Sequence, residues 1–180
     1  VITNCCVAME TVDFEGFEGG GTITELQTGA TVHTTPQSYS VLTGSASAYM
    51  NFVNGFQGVV FDKIYDVCVG QTYQFSAWFN NTWGGVPDVD LQLTVYDGLS
   101  GIIYQVLSLP VGGPWVEFNT GQFVAPTNTI RFELVNNIAG GIGNNDCSMD
   151  DLLLEMCTIP VANASAGVLC ANDPSIDLYN

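Results

Sequence analysis

The sequence predicts an all-β chain, an antiparallel two-sheet β-sandwich of jelly-roll type. Three observations carry this. Several stretches alternate apolar and polar residues with a period of two, glycine-rich turn signals separate them, and no segment shows a helical stripe.

The first short strand candidates are Tyr49–Val53 and Val59–Asp62. Thr72–Phe79 follows, with Tyr73, Phe75, Ala77 and Phe79 on one face and polar residues plus Trp78 on the other. Val89–Tyr96 alternates in the same way, then the short Ile102–Leu107 and Val116–Phe118, then Ile130–Leu134. Met149–Met156 closes the series. A period of two marks strands with one buried face. Between them lie Gly19-Gly20-Gly21, Asn54-Gly55, Gly84-Gly85, Asp97-Gly98, Gly112-Gly113-Pro114 and Gly140-Gly141-Ile142-Gly143, all turn chemistry. About ten short strands separated by turns suit a sandwich.

Composition narrows the function classes. The chain has 180 residues, 2 Lys+Arg and 18 Asp+Glu, for a net charge of −16. Such acidity repels the phosphates of nucleic acid and of anionic lipid. With 47% hydrophobic and 11% aromatic residues the chain can bury a core and is no disordered acidic tail. Apolar runs such as Leu152-Leu153-Leu154 fall far short of the roughly 20 residues of a membrane span, so no membrane insertion is expected. A signal peptide, whose mark is a basic stretch followed by an apolar one, is expected to have been removed already. Six cysteines beside almost no lysine point to an oxidising, extracellular setting. Without a C-x-x-C pair and with His33 alone, structural zinc is not expected.

Residues 1–158 read as the sandwich, and 159–180 as a linker followed by an extended tail. Pro160–Gly167 is small and flexible in composition. Val168–Tyr179 then either opens a further domain or forms a strand that docks on another copy of the chain.

Several pieces in order resemble a known family: Phe14-Glu15, Gly44–Phe52, Cys68–Trp78, Pro114-Trp115 and Gly143–Leu152. Over about residues 10–157 the chain resembles the jelly-roll modules that include carbohydrate-binding modules and MAM-type extracellular domains. Its tail, Ala162–Gly167 into Cys170-Ala171-Asn172-Asp173-Pro174, is similar to inter-domain joints of long bacterial surface adhesins of the gliding-motility kind. That second resemblance implies a type 9-secreted, multi-domain parent or a filament at the bacterial cell surface.

The resemblance implies one structural calcium where first and last strands meet, drawing on Asp13, Glu15 or Glu18 and on Asp150 or Asp151. Hard carboxylate and backbone oxygens suit that ion. By parity with Leu152 and Leu154, Asp150 is expected to point coreward.

The residues themselves suggest a sugar-binding face. Trp78 stands on the polar side of its strand, Gln92 and Tyr96 on that of the next, and Arg131 and Glu133 on another. Trp83 and Trp115 fall in rim loops. Flat rings suit the C–H faces of sugars, and planar polar groups suit their hydroxyls. An enzyme is not expected. No G-x-S-x-G elbow is present, and Glu10, Asp13 and Glu15 do not share one strand face as the three carboxylates of a jelly-roll glucanase would.

Adjacent Cys5 and Cys6 cannot comfortably bond each other. Among the 15 pairings open to six cysteines, the expected ones join Cys5 or Cys6 to Cys157 and Cys68 to Cys147. Cys170 would then close onto the remaining N-terminal cysteine or onto another subunit. Asn80-Asn81-Thr82 and Asn163-Ala164-Ser165 match the N-glycosylation triplet, which a bacterial source discounts.

Two functions emerge. One is a non-catalytic adhesive module that binds a glycan or cell-surface ligand with a structural calcium. The other is a structural subunit of a filament or adhesin stalk, joined to copies of itself through the tail.

Overall fold

In a computed structural model the described residues are 8–18, 41–50, 57–81, 90–98, 101–106, 115–137 and 147–158. They form strands β1 (Ala8–Glu15), β2 (Ala48–Met50), β3 (Gly58–Asp66), β4 (Thr72–Asn81) and β5 (Leu91–Tyr96). β6 (Ile102–Val106), β7 (Val116–Val124), β8 (Thr129–Asn136) and β9 (Cys147–Thr158) follow. One sheet runs β1-β9-β4-β7, with β2 also on β9, and the other runs β3-β8-β5-β6. Every pairing is antiparallel, and no helix occurs among the described residues. The architecture is the jelly-roll sandwich that the alternation predicts.

The core fills the space between the sheets. From one side come Tyr73, Phe75, Ala77 and Phe79 of β4 with Met149, Leu152 and Leu154 of β9, all buried. Leu91, Leu93 and Val95 of β5 and Ile130, Phe132 and Leu134 of β8 meet them. Phe132 anchors the contact: its ring lies 4.5 Å from Phe75 across the sandwich and 5.6 Å from Phe61 beside it. Lys63 and Asp13 also face inward and join the two sheets through a 2.6 Å ion pair.

Bulges shape what simple alternation misses. β7 runs on to Val124, past the Phe118 at which its apolar pattern stops. There Gly121 adopts φ 65° and its N–H donates to Asn119 Oδ1 at 2.8 Å, so a turn-like triplet continues the strand as a bulge.

A second bulge decides the most consequential geometry. β1 pairs with β9 from Leu152 to Thr158, whereas β2 takes Cys147 to Met149 on the same edge. Asp150 and Asp151 occupy the hand-over, and Asp151 adopts φ 47°. Opposite them Ser76 pairs with Leu153 and Trp78 with Asp150, so Asp151 is the inserted residue. The insertion flips parity. Asp150 therefore shares the outer face with Trp78, and the expectation that it points coreward with Leu152 and Leu154 is corrected.

The strand geometry also overturns the Cys68–Cys147 pairing. Cys68 precedes Thr72, while Cys147 pairs with Asn81 at the far end of β4. The ten residues of β4 span about 30 Å, against a Cα separation of about 7 Å at most for a disulfide. Cys147 is instead a buried thiol whose Sγ donates to the Ser148 carbonyl at 3.5 Å. Cys5, Cys6 and Cys170, and the linker and tail 159–180, lie outside the described residues.

Removing the central ring should be severe. Phe132→Ala is expected to lower the unfolding free energy by about 3–5 kcal/mol, measured as a shift in the urea midpoint at unchanged slope. A loss below about 1 kcal/mol would mean that the two sheets do not depend on this contact.

Candidate functional site

Two places gather polar side chains on named elements. The first is the hand-over on β9. Residues 16–18 leave β1 there and residues 41–46 enter β2, leaving amides with no ladder partner. Acids supply the acceptors. Asp150 Oδ2 accepts from Leu42 N at 2.9 Å and Thr43 N at 3.4 Å, and its Oδ1 accepts from Asp151 N at 2.9 Å. Asp151 Oδ1 takes the Thr43 hydroxyl at 2.7 Å, and Glu15 Oε1 takes Phe17 N at 2.8 Å. Glu18 grips Ser45 through its N–H at 2.9 Å and its hydroxyl at 2.8 Å. Gly44, at φ 66°, lies so close to Glu18 that any Cβ would strike its carboxylate.

The structure thus brings Glu15, Glu18, Asp150 and Asp151 to the meeting point of β1 and β9. Asp13 is drawn away to Lys63. Among the described residues no three His, Cys, Asp or Glu side chains converge as a metal site. Burial pushes the Asp150 carboxyl above its ordinary range, opposed by its three N–H donors. Glu18 is held below its ordinary range, chiefly by the Ser45 hydroxyl and then by the Ser45 amide.

The second place is the outer face of β3-β8-β5-β6. Alternation dictates it: with Ile130, Phe132 and Leu134 inward, Arg131 and Glu133 face out, as do Gln92, Thr94 and Tyr96 between the core positions of β5. Cross-strand register then builds two rows. Asp62, Glu133, Thr94 and Gln105 form one, and Ile64, Arg131, Tyr96 and Ile102 the other. Ile64 and Ile102 are 64% and 56% exposed, so the second row is apolar at both ends.

Hydrogen bonds lock the rows together. Arg131 donates from Nε to Asp62 Oδ1 at 2.7 Å and from Nη2 to Asp62 Oδ2 at 2.9 Å. The same Nη2 donates to Glu133 Oε2 at 2.6 Å, and the Tyr96 hydroxyl donates to Glu133 Oε1 at 3.1 Å. The guanidinium carbon lies 5.6 Å from the Tyr96 ring centroid. Gln92 and Gln105 each turn Nε2 toward Thr94 Oγ1, at 3.3 and 3.1 Å. Burial and then the Glu133 carboxylate raise the Tyr96 phenol, and the Asp62 bond raises Arg131 further. The phenol stays protonated and the guanidinium charged.

Of the sugar-face residues expected from the sequence, Tyr96, Gln92 and Arg131 come together. Trp78 does not join them. It lies half-buried on the outer face of the opposite sheet, between Glu117 and Asp150 in register, because β4 and β5 belong to different sheets. Trp115 is half-buried just before β7, and Trp83 lies outside the described residues. Asp62, Thr94, Gln105, Ile64 and Ile102 were not singled out by sequence reasoning. The polar parity of Gln105 within Ile102–Val106 was the available signal.

No protein-family model and no curated protein matches the chain. Solved structures do. The family 22 module CBM22-1, the xylan-binding domain of Paenibacillus barcinonensis Xyn10C, superposes with TM-score 0.59 at 17% identity, covering 85% of this chain and 98% of that one. A family 61 module, TmCBM61, in complex with β-1,4-galactotriose gives 0.57 at 18%, covering 77% and 92%. The C-terminal family 22 module of Clostridium thermocellum Xyn10B gives 0.53 at 15%, covering 84% and 97%. The chain has the jelly-roll fold of carbohydrate-binding modules. This fold bears out the sandwich expected from the sequence resemblance.

The two hand-over acids should oppose each other as pH changes. With its folded value raised above the ordinary 3.8, Asp150 contributes stability that is complete below 3.8 and lost as pH rises through the folded value. Glu18, lowered from 4.5, contributes stability above 4.5 that is lost as pH falls through its folded value. Denaturant midpoints across pH should therefore show Asp150→Asn flattening the decline on the alkaline side of about 4, and Glu18→Gln the acid-side decline. Profiles parallel to that of the unmutated chain would refute both assignments.

Proposed function

We propose that this chain is a non-catalytic glycan-binding module acting outside the cell, with the outer face of β3-β8-β5-β6 as its ligand platform. The observation that carries the reading is the register-aligned set Tyr96, Arg131, Glu133 and Asp62, with the glutamines beside it. The arrangement is pre-organised, since each polar group is already held by a neighbour, so little ordering entropy remains to oppose binding. Tyr96 offers an amphipathic ring for a sugar face, and carboxylate and amide oxygens offer acceptors for hydroxyls. Fold neighbours include one module in complex with β-1,4-galactotriose and one described as xylan-binding, which favours a polysaccharide ligand. Catalysis is disfavoured by the same geometry. Asp62 and Glu133 grip one guanidinium rather than facing each other across a gap where a glycosidic bond could sit.

The extracellular setting rests on cysteine usage and acidity. No helix among the described residues is long and apolar enough to cross a membrane. Placement on a bacterial surface adhesin rests on the resemblance of the tail, and the filament alternative rests on residues 159–180.

We also propose calcium at the β9 hand-over. Glu15, Glu18, Asp150 and Asp151 meet there, and both basic residues of the chain are engaged elsewhere. Since no three carboxylates converge among the described residues, backbone carbonyls would have to complete the ligand set. Calcium should then raise the melting temperature, and Asp151→Asn should remove that increment. A melting temperature indifferent to calcium and to chelator would exclude the ion.

The platform has its own test. Tyr96→Ala should weaken binding to xylan or galactan by about tenfold or more, whereas Trp78→Phe should leave it unchanged. Both follow from titration calorimetry. The reverse ranking would move the site to the opposite sheet.

A further inference from the structure

We infer that the platform takes uncharged sugar units and excludes glycans bearing uronate or sulfate. This rests on the glycan reading above and assigns its ligand class by charge.

The chain contains 2 Lys+Arg in all, and the structure places both. Lys63 faces inward at the edge of the sandwich, 2.6 Å from Asp13, and is not on the platform. Arg131 is on the platform but is enclosed by two carboxylates at 2.7 and 2.6 Å. Arg131, Asp62 and Glu133 together carry 1 − 2 = −1. The platform's sole cation is thus over-neutralised before any ligand arrives.

The hydrogen-bond inventory points the same way. A guanidinium has five N–H donors. Its Nε hydrogen and both Nη2 hydrogens are directed at Asp62 and Glu133, so only the Nη1 group stays open to a ligand. Tyr96 directs its hydroxyl hydrogen at Glu133. Gln92 and Gln105 turn their Nε2 groups onto the buried Thr94, which orients their Oε1 oxygens away from it. What faces outward is then the carboxylate and amide oxygens as acceptors, with the Nη1 group and the second N–H of each glutamine as uncharged or already neutralised donors. Sugar hydroxyls can donate to the oxygens, and a hydroxyl oxygen can still accept from Nη1. A carboxylate or sulfate only accepts, and it would meet acceptors of its own sign on a chain of net charge −16.

The experiment compares full-chain affinities, by calorimetry or affinity electrophoresis at low ionic strength, for four probes: unsubstituted xylan, galactan, polygalacturonate and a sulfated galactan. At least one neutral polymer should bind, and both anionic ones should bind at least about tenfold more weakly. The variant Asp62→Asn/Glu133→Gln shifts the trio from −1 to +1. It should gain at least about tenfold for polygalacturonate, and the gain should shrink in about 0.5 M salt. Should the double variant fail to fold, Asp62→Asn alone, which brings the trio to zero, should show a smaller gain in the same direction. If the unmutated chain holds polygalacturonate as tightly as the neutral polymers, the charge inference is overturned while the glycan platform stands. If it holds no polymer at all, the glycan reading falls and this inference with it. If the variants gain nothing for the anionic polymers, the exclusion does not come from this trio.

Discussion

The structure depends on how one edge of β9 is shared. β1 covers the half from Leu152 to Thr158 and β2 the half from Cys147 to Met149, so neither strand can satisfy the amides where they meet. Unpaired backbone groups in a covered place are costly, and in a sandwich the gap cannot be closed by sliding a strand without flipping its faces. The solution is chemical. Asp151 bulges out, Asp150 turns to the outer face, and the carboxylates of Glu15, Glu18, Asp150 and Asp151 accept from the loose amides and hydroxyls of residues 17, 42, 43, 45 and 46. On that face Asp150 pairs in register with Trp78, which is away from the platform because β4 belongs to the other sheet.

The platform is indirectly a product of the same arrangement. Because β9 and β4 form the middle of one sheet, β8 and β5 pack opposite them and present their alternate residues outward. A side chain on that face has only cross-strand neighbours for partners, and register alone sets Arg131 between Asp62, Glu133 and Tyr96. A surface ion pair by itself contributes little to stability. Here the network's consequence is orientation: a bidentate guanidinium and a bonded phenol give Tyr96 one defined posture.

Much of this is written in the sequence at the level of faces. Tyr73, Phe75, Ala77 and Phe79 are inward as alternation dictates, and Gln92, Tyr96, Arg131 and Glu133 outward. Parity has two blind spots. It says nothing about which sheet a strand joins, and so Trp78 and Tyr96, neighbours in the pattern, stand on opposite outer faces. It also fails across a bulge, and so Asp150 faces the reverse of what Leu152 and Leu154 suggest. Asp62 escaped notice because its partner Arg131 lies 69 positions along the chain, and only the β3–β8 register reveals the pair. The Cys68–Cys147 expectation failed for a related reason: sequence order does not tell which end of a strand a cysteine occupies.

The acidity of the chain takes on a different meaning once its acids are placed. Some are not a diffuse solubilising coat but acceptors with assigned donors: Glu15, Glu18, Asp150 and Asp151 at the hand-over, Asp62 and Glu133 on the platform, and Asp13 across the core edge. A carboxylate can do the first task without any cation, because backbone N–H groups bond strongly to a charged acceptor. That is how a fold with 2 basic residues can hold several of its acids in place without a counter-cation. It also bears on the ligand class proposed above: both basic residues of the chain are paired with acids, and an uncharged partner would meet no repulsion on approach.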